Sequence, residues 1–109
     1  MNRDQLKGMI GLSRRAGQLS LGTDTVLRAL KSGRCGVVLM DETAAPNTEK
    51  RLTDAANAAG TPLYRLPEGL LDLATGQSGR IAAAVRAGSL ADRIILLFNT
   101  AGQAEKQPN

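Results

Sequence analysis

Apolar residues recur at spacings of three and four from Asp4 to Ala16, where Leu6, Met9, Ile10 and Ser13 share one face; this predicts a first helix. A short strand follows from Gln18 to Leu21, then a second helix from Thr23 to Ser32. In that helix Val26, Leu27 and Leu30 form the apolar side, and Asp24, Arg28 and Lys31 the polar one. Gly36-Val37-Val38-Leu39-Met40 is a continuous apolar run, the pattern of a central strand covered on both faces. An acidic turn, Asp41-Glu42-Thr43, ends it. Pro46 opens a third helix that runs to Ala59, with Leu52, Ala55, Ala56 and Ala59 inward.

Thr61–Leu66 reads as a third strand, and Pro67 opens a short helix carrying Leu70, Leu71 and Ala74. Ile81-Ala82-Ala83-Ala84-Val85 is ambiguous, because alanine is a poor strand former. Its length of five and the glycines on either side favour a buried strand. Ser89 is expected to cap a last helix ending near Phe98. Gly17, Gly33, Gly60 and Gly76 each follow a helical stretch and read as helix terminators.

Strict alternation of helix and strand predicts one α/β domain over residues 1–100, a three-layer α/β/α sandwich around a mixed four-stranded sheet. Residues 101–109 are polar and are expected to form a flexible C-terminal tail. Sheets of this class place binding sites in the loops at strand ends.

Composition narrows the chemistry. There is no His, which excludes a Ser-His-Asp triad, a Cys-His pair and every His-containing metal site. The single cysteine, Cys35, cannot form an internal disulfide, and a packing role fits it better than a nucleophilic one. One Tyr, one Phe and no Trp argue against modules that stack bases on aromatic platforms. Tyr64 is accordingly read as packing. The start of the chain carries charges and no long apolar stretch, so no signal peptide, membrane span or membrane partner is expected; a cytoplasmic monomer without cofactors is.

Net charge is +4, and ten of the 14 basic residues are Arg, the side chain suited to bidentate phosphate and guanine contacts. Residues 1–40 carry +5, residues 41–75 carry −3 and residues 76–109 carry +2. A one-sided basic surface results if the two ends of the chain meet in the fold. Lys50 and Arg51 read as a solvated helix face.

The strongest local feature is Leu21-Gly22-Thr23-Asp24-Thr25-Val26-Leu27-Arg28. A strand ends at Gly22 and a helix begins at once, leaving the first N–H groups of the helix pointing outward. Arg28 follows one turn later. The plain alternative is a routine junction with Thr23 as cap and an Asp24–Arg28 ion pair. The Gly-Lys-Ser/Thr triplet of a phosphate-binding P-loop is absent.

The stretch GLSRRAGQLSLGTDTVLRALKSGRCGVVLMDETAAPNTEKRL resembles the bacterial YlxQ-type branch of the L-seven-Ae / L-thirty-e superfamily of kink-turn RNA-binding ribosomal proteins. The resemblance covers about residues 5–98 and is most specific in the first half. It implies an α/β/α sandwich and a Gly-x-Asn-Glu-x-x-Lys segment that enters the widened major groove of a kink-turn. Gly22 and Thr23 match the start of that segment. Asp24 stands at the Asn position, Thr25 at the Glu position and Arg28 at the Lys position. Arg28 keeps its charge, whereas Asp24 can only accept hydrogen bonds and Thr25 is short and neutral. The resemblance also implies a second contact in the loop before the last strand, here Gln77, Ser78, Gly79 and Arg80, with Ile81 and Ala82 following. Arg15 and Lys31 complete the candidate RNA contacts.

The expected function is therefore non-enzymatic recognition of structured, kink-turn-like RNA, in ribosome assembly or translation. Partners would be that RNA, ribosomal RNA included, and ribosomal or transcription and translation proteins. Two rivals stay open. Asp24 and Thr25 are compatible with a protein-interaction module whose RNA recognition is weak or lost. Asp41 and Glu42 are compatible with an acidic site in a small enzyme.

Overall fold

The computed structural model describes the backbone of residues 2–105 and the side chains of residues 2–99. Its elements are α1 (Arg3–Arg15), β1 (Leu19–Leu21), α2 (Thr23–Ser32), β2 (Cys35–Asp41), α3 (Pro46–Ala59), β3 (Leu63–Leu66), α4 (Leu70–Thr75), β4 (Ala82–Arg86) and α5 (Ser89–Glu105). The strands lie in the order β1-β4-β2-β3. β4 runs antiparallel to both β1 and β2, and β2 runs parallel to β3. The expected mixed four-stranded α/β fold is thus present, and the last strand in sequence is central in space.

Period-two alternation sorts the sheet residues between two cores. Val37 and Leu39 of β2, with Ala83 and Val85 of β4, face α1, α4 and α5 and meet Leu6, Ile10, Leu71 and Ile94. Val38 and Met40, with Ala82 and Ala84, face α2 and α3 and meet Val26, Leu30, Leu52 and Ala56. Each fully buried Leu, Ile or Val contributes about 1.5–3 kcal/mol. The alanine run of β4 is a strand because it is covered on both faces, and burial overrides its weak intrinsic preference.

Gly36 breaks the alternation. Cys35 pairs with Arg86 and Val37 with Val85, so Gly36 is an extra residue, a β-bulge. The bulge turns Cys35 onto the α2–α3 side, at the edge of the core that also holds Val38 and Met40. Burial pushes the Cys35 thiol up from its ordinary pKa, against hydrogen bonds with the backbone of Val37 and Val85. It is a buried packing residue, as expected.

Several boundaries differ from those predicted. β3 begins at Leu63 rather than Thr61, and β4 spans Ala82–Arg86 rather than residues 81–85. Asn2 caps α1, its side chain accepting from the Asp4 and Gln5 amides at 2.9 and 3.1 Å. α4 starts after Gly69, two residues beyond Pro67. Ser89 is the first residue of α5, not its cap; the Asp92 amide donates to the Gly88 carbonyl at 3.0 Å. Ala59 is exposed, not inward. α5 runs past Phe98 to Glu105, and of the tail expected over 101–109, residues 106–109 lie outside the described residues. The four helix-ending glycines do take left-handed φ values, from 68° to 76°. Tyr64 stacks on Phe98 of α5, ring centroids 4.3 Å apart, which bears out its packing role.

Candidate functional site

β1 and β4 pair with Leu21 opposite Ala83, and the ladder continues one step further: the Gly22 amide donates to the Ala82 carbonyl at 3.0 Å. That bond joins the start of α2 to the start of β4. Because β4 inserts beside β1, two segments almost sixty residues apart in sequence meet at one end of the sheet. The next carbonyl back, that of Ile81, accepts from the Asp41 amide at 2.7 Å, which ties the end of β2 to the same place.

Gly22 has φ +107° and ψ 142°, a conformation that side chains rarely adopt, and this lets the chain leave the strand and enter the helix in one residue. Gly22 has no side chain to cap the helix, and the first described intrahelical bond is from Val26 N–H to the Gly22 carbonyl at 2.9 Å. The opening amides of α2, at Thr23, Asp24 and Thr25, are therefore positioned as donors at the surface. Asp24 is exposed, and Thr23 and Thr25 are half-buried.

The facing loop is held from α4. One Asp72 carboxylate accepts from the Gly79 amide (2.9 Å) and from the Arg80 amide (2.8 Å). These two hydrogen bonds fix the backbone at Gly79 and Arg80 without using their side chains. Gly79 has φ +68°. Arg80 is half-buried, and its Nε is shielded from solvent with no hydrogen-bond partner. A buried, unpaired guanidinium donor is costly unless something accepts from it. Ile81 is half-buried and Ala82 fully buried, so these two supply backbone and floor.

The Asp24–Arg28 pair expected of a plain junction is not formed. Arg28 Nη2 donates to Thr25 Oγ1 at 3.3 Å, and Asp24 instead faces Arg51 of α3 at 3.9 Å. Lys50 and Arg51 are both exposed, as expected of a solvated helix face, and Lys50 likewise sits in an exposed pair, with Asp54 at 3.0 Å.

Gly22, Thr23, Asp24, Thr25, Arg28, Gly79, Arg80, Ile81 and Ala82 are thus brought to one end of the sheet or to the helix that starts there. Lys31 lies near the far end of the same helix, and Arg15 closes α1. Arg15 lies in a groove between α1 and α4 with Asp4, Lys7 and Ala74, its Nη1 folded back over Gly11. Lys31 lies over an apolar groove between α2 and α3, walled by Leu27, Ala55 and Ala58. Sequence reasoning missed Asp72, which orders the loop; an acidic residue four positions before the Gly76-Gln77-Ser78-Gly79 loop was the available signal. It also missed Arg34 and Arg86, which join Arg28 around a second groove.

Asp41 and Glu42, open as an acidic site from sequence, are anchors. Asp41 Oδ1 accepts from the Thr43 amide (2.8 Å) and hydroxyl (2.5 Å), and its Oδ2 accepts from the Gly69 amide (3.0 Å). Glu42 accepts from the Glu68 amide at 3.0 Å. Burial pushes the Asp41 carboxyl up, but the hydrogen bonds more than offset this and hold it below the ordinary carboxylate range. Among the described residues no cluster of three or more Cys, Asp or Glu could hold a metal ion, and no helix is long and apolar enough to cross a membrane.

Residues 4–91 match the model of the ribosomal protein L7Ae/L30e/S12e/Gadd45 family. The chain belongs to this family. It is 29% identical over 92 residues to the RNA-binding protein YlxQ of Bacillus subtilis (strain 168), covering 84% of this chain and 92% of that one. The RNA-binding protein YlxQ of Enterococcus faecium is 28% identical over 65 residues, 60% of this chain and 63% of that one. Two solved structures share the family fold. A protein of unknown function from Bacillus halodurans C superposes with a TM-score of 0.82 at 24% identity, over 86% of this chain and 96% of its own. The 15.5kD RNA binding protein of Giardia lamblia gives 0.74 at 16% identity, over 91% and 85%.

Proposed function

We propose that this chain is a non-enzymatic RNA-binding protein that recognises structured RNA of kink-turn geometry, in the cytoplasm, in ribosome assembly or translation. The observation that carries the reading is the Gly22–Ala82 hydrogen bond, which draws the α2 start and the 77–80 loop into one face. On that face the α2 amides and Arg28 are donors for guanine edges and phosphates. Family membership and the two RNA-binding relatives support the same reading. That Asp41 and Glu42 are occupied by backbone amides favours binding over acid–base chemistry.

Phosphate contacts favour any RNA, whereas groove width and non-canonical pairs separate a kink-turn from a duplex. Titration of the protein into a kink-turn RNA and a duplex of equal length, at physiological salt, tests the proposal. Tighter binding of the kink-turn is expected. Equal affinity for the two would overturn specific recognition and favour a protein-interaction module, a reading that the exposed Asp24 carboxylate also supports.

A further inference from the structure

The candidate face accounts for Arg28 but not for what lies behind it. From Thr25 a groove of about 370 Å³ runs between α2 and the edge strand β1 toward the far end of α2. Three arginines line it: Arg28 on α2, Arg34 just after α2, and Arg86 at the end of β4. Ser20 and Ser32 add hydroxyls, and no carboxylate lines it among the described residues. All three arginines are exposed, and none is in an ion pair among the described residues.

Their backbone positions are locked. Cys35 and Arg86 are paired across β2 and β4, the Ala87 amide donates to the Arg34 carbonyl at 2.9 Å, and the Arg86 amide donates to the Gln18 carbonyl at 2.8 Å. Two long cationic side chains therefore rise from a rigid sheet corner, with a third one turn or more along the adjoining helix. Three guanidiniums in one groove without a counter-charge repel each other, an arrangement that an anion relieves. Planar guanidinium groups with hydroxyls nearby match the oxygens of phosphate. The ten residues of α2 span about 15 Å, so Arg34 and Arg86 stand well beyond the reach of a ligand confined to Gly22–Thr25.

We infer that the Arg28–Arg34–Arg86 groove binds backbone phosphates of the RNA, carrying its footprint from the α2 start down the β1 edge. This rests on the proposed function for the identity of the ligand, but not for the groove itself. A free polyphosphate or nucleotide presents the same chemistry, and the test separates the two sources.

The experiment compares wild type with the Arg34→Gln, Arg86→Gln double variant. Both positions are exposed, and circular dichroism and thermal melting check that the variant folds. The probes are a kink-turn RNA carrying a flanking extension, a duplex, and inorganic triphosphate. Expected is about tenfold weaker binding of the extended RNA by the variant at physiological salt, with the salt slope reduced by about two. Preference for the kink-turn over the duplex should survive. If the variant weakens equally on both RNAs and wild type shows no preference, the groove assignment stands and kink-turn recognition falls. If the variant binds RNA as wild type does, or if wild type binds no RNA, the assignment is overturned. Loss of triphosphate binding alone, with RNA binding intact, overturns RNA as the source and assigns the groove to a free phosphate ligand.

Discussion

Asp24 Oδ1 stands 3.9 Å from Arg51 Nη2, so the acidic residue at the opening of α2 pairs with α3 and not with Arg28 on its own helix. Both partners are largely exposed, and such a pair is worth about 0–1 kcal/mol. The arrangement leaves Arg28 available to a ligand while setting a carboxylate beside the place proposed for a polyanion.

Asp24→Asn is therefore expected to strengthen RNA binding. One charge pair at about 6 Å and an effective dielectric of 20–80 is worth roughly 0.7–3 kcal/mol before salt screening. Asn can also donate as well as accept, and Arg51 is released as an additional cation. Calorimetric titration of both variants at low and high salt measures this, and the gain should shrink as salt rises. Weaker binding by the Asn variant would mean that the carboxylate itself accepts from the RNA, for example from guanine N–H groups.

Arg28→Ala is expected to weaken RNA binding by about 1–3 kcal/mol with little effect on folding. The guanidinium is exposed, and its one described hydrogen bond is to Thr25 Oγ1. Affinity and thermal melting should be measured on the same preparation. A large fall in melting temperature with no change in affinity would make the residue structural.

Most of the fold was legible because two signals are local. Apolar periodicity gave the helices and the central β2, and glycines after helices marked the ends. The alanine strand was the hard case: its residues 82–84 look helical until one knows that both faces are covered. The site was half legible. The Gly22 junction and the 77–80 loop each stand out in sequence, but their meeting depends on β4 inserting between β1 and β2, which no local pattern encodes. The placement of Lys31 and Arg15 was not legible for a related reason. Helix spacing places Lys31 near Arg28, but α3 packs on the side to which Lys31 turns. The Asp72 clamp and the Asp24–Arg51 pair are contacts between elements, and charge counting along the chain does not find them.

Asp41→Asn is expected to destabilise the fold by about 1–3 kcal/mol at neutral pH, since a buried carboxylate that accepts three hydrogen bonds becomes a group able to satisfy fewer of them. The pH dependence has a definite sign. A carboxyl held low in the folded state gives stability that is fully present above its unfolded value, about 3.9, and lost as pH falls through the depressed folded value. The gap between wild type and variant should therefore narrow at acid pH. Urea unfolding from neutral to acid pH would show it; a gap independent of pH would mean that the Asp41 charge does not matter to folding.

Gly36→Ala is expected to be the more damaging of two glycine substitutions, and the comparison separates crowding from backbone strain. A Cβ at Gly36 would lie 2.7 Å from Ala87 Cα and 2.8 Å from Ala91 Cβ, closer than real carbon contacts allow. The first of these is backbone, held by the hydrogen bond from the Ala87 amide to the Arg34 carbonyl, so it cannot simply move aside. Overpacking of this kind costs about 2–3 kcal/mol. For a domain of this size that lowers the melting temperature by about 10–20 °C. Gly22→Ala meets only Thr25 Oγ1, at 3.8 Å, so its cost is the strain of placing a side chain at φ +107°, about 1–2 kcal/mol. Ala91→Gly removes a buried helix methyl and costs about 1 kcal/mol by itself. Added to Gly22→Ala it should lower stability by that amount, whereas added to Gly36→Ala it should cost less, because it also removes one of the two close contacts. Thermal unfolding of the four variants decides it. A melting temperature for Gly36→Ala equal to wild type would mean that the start of α5 is not seated against the β2 bulge.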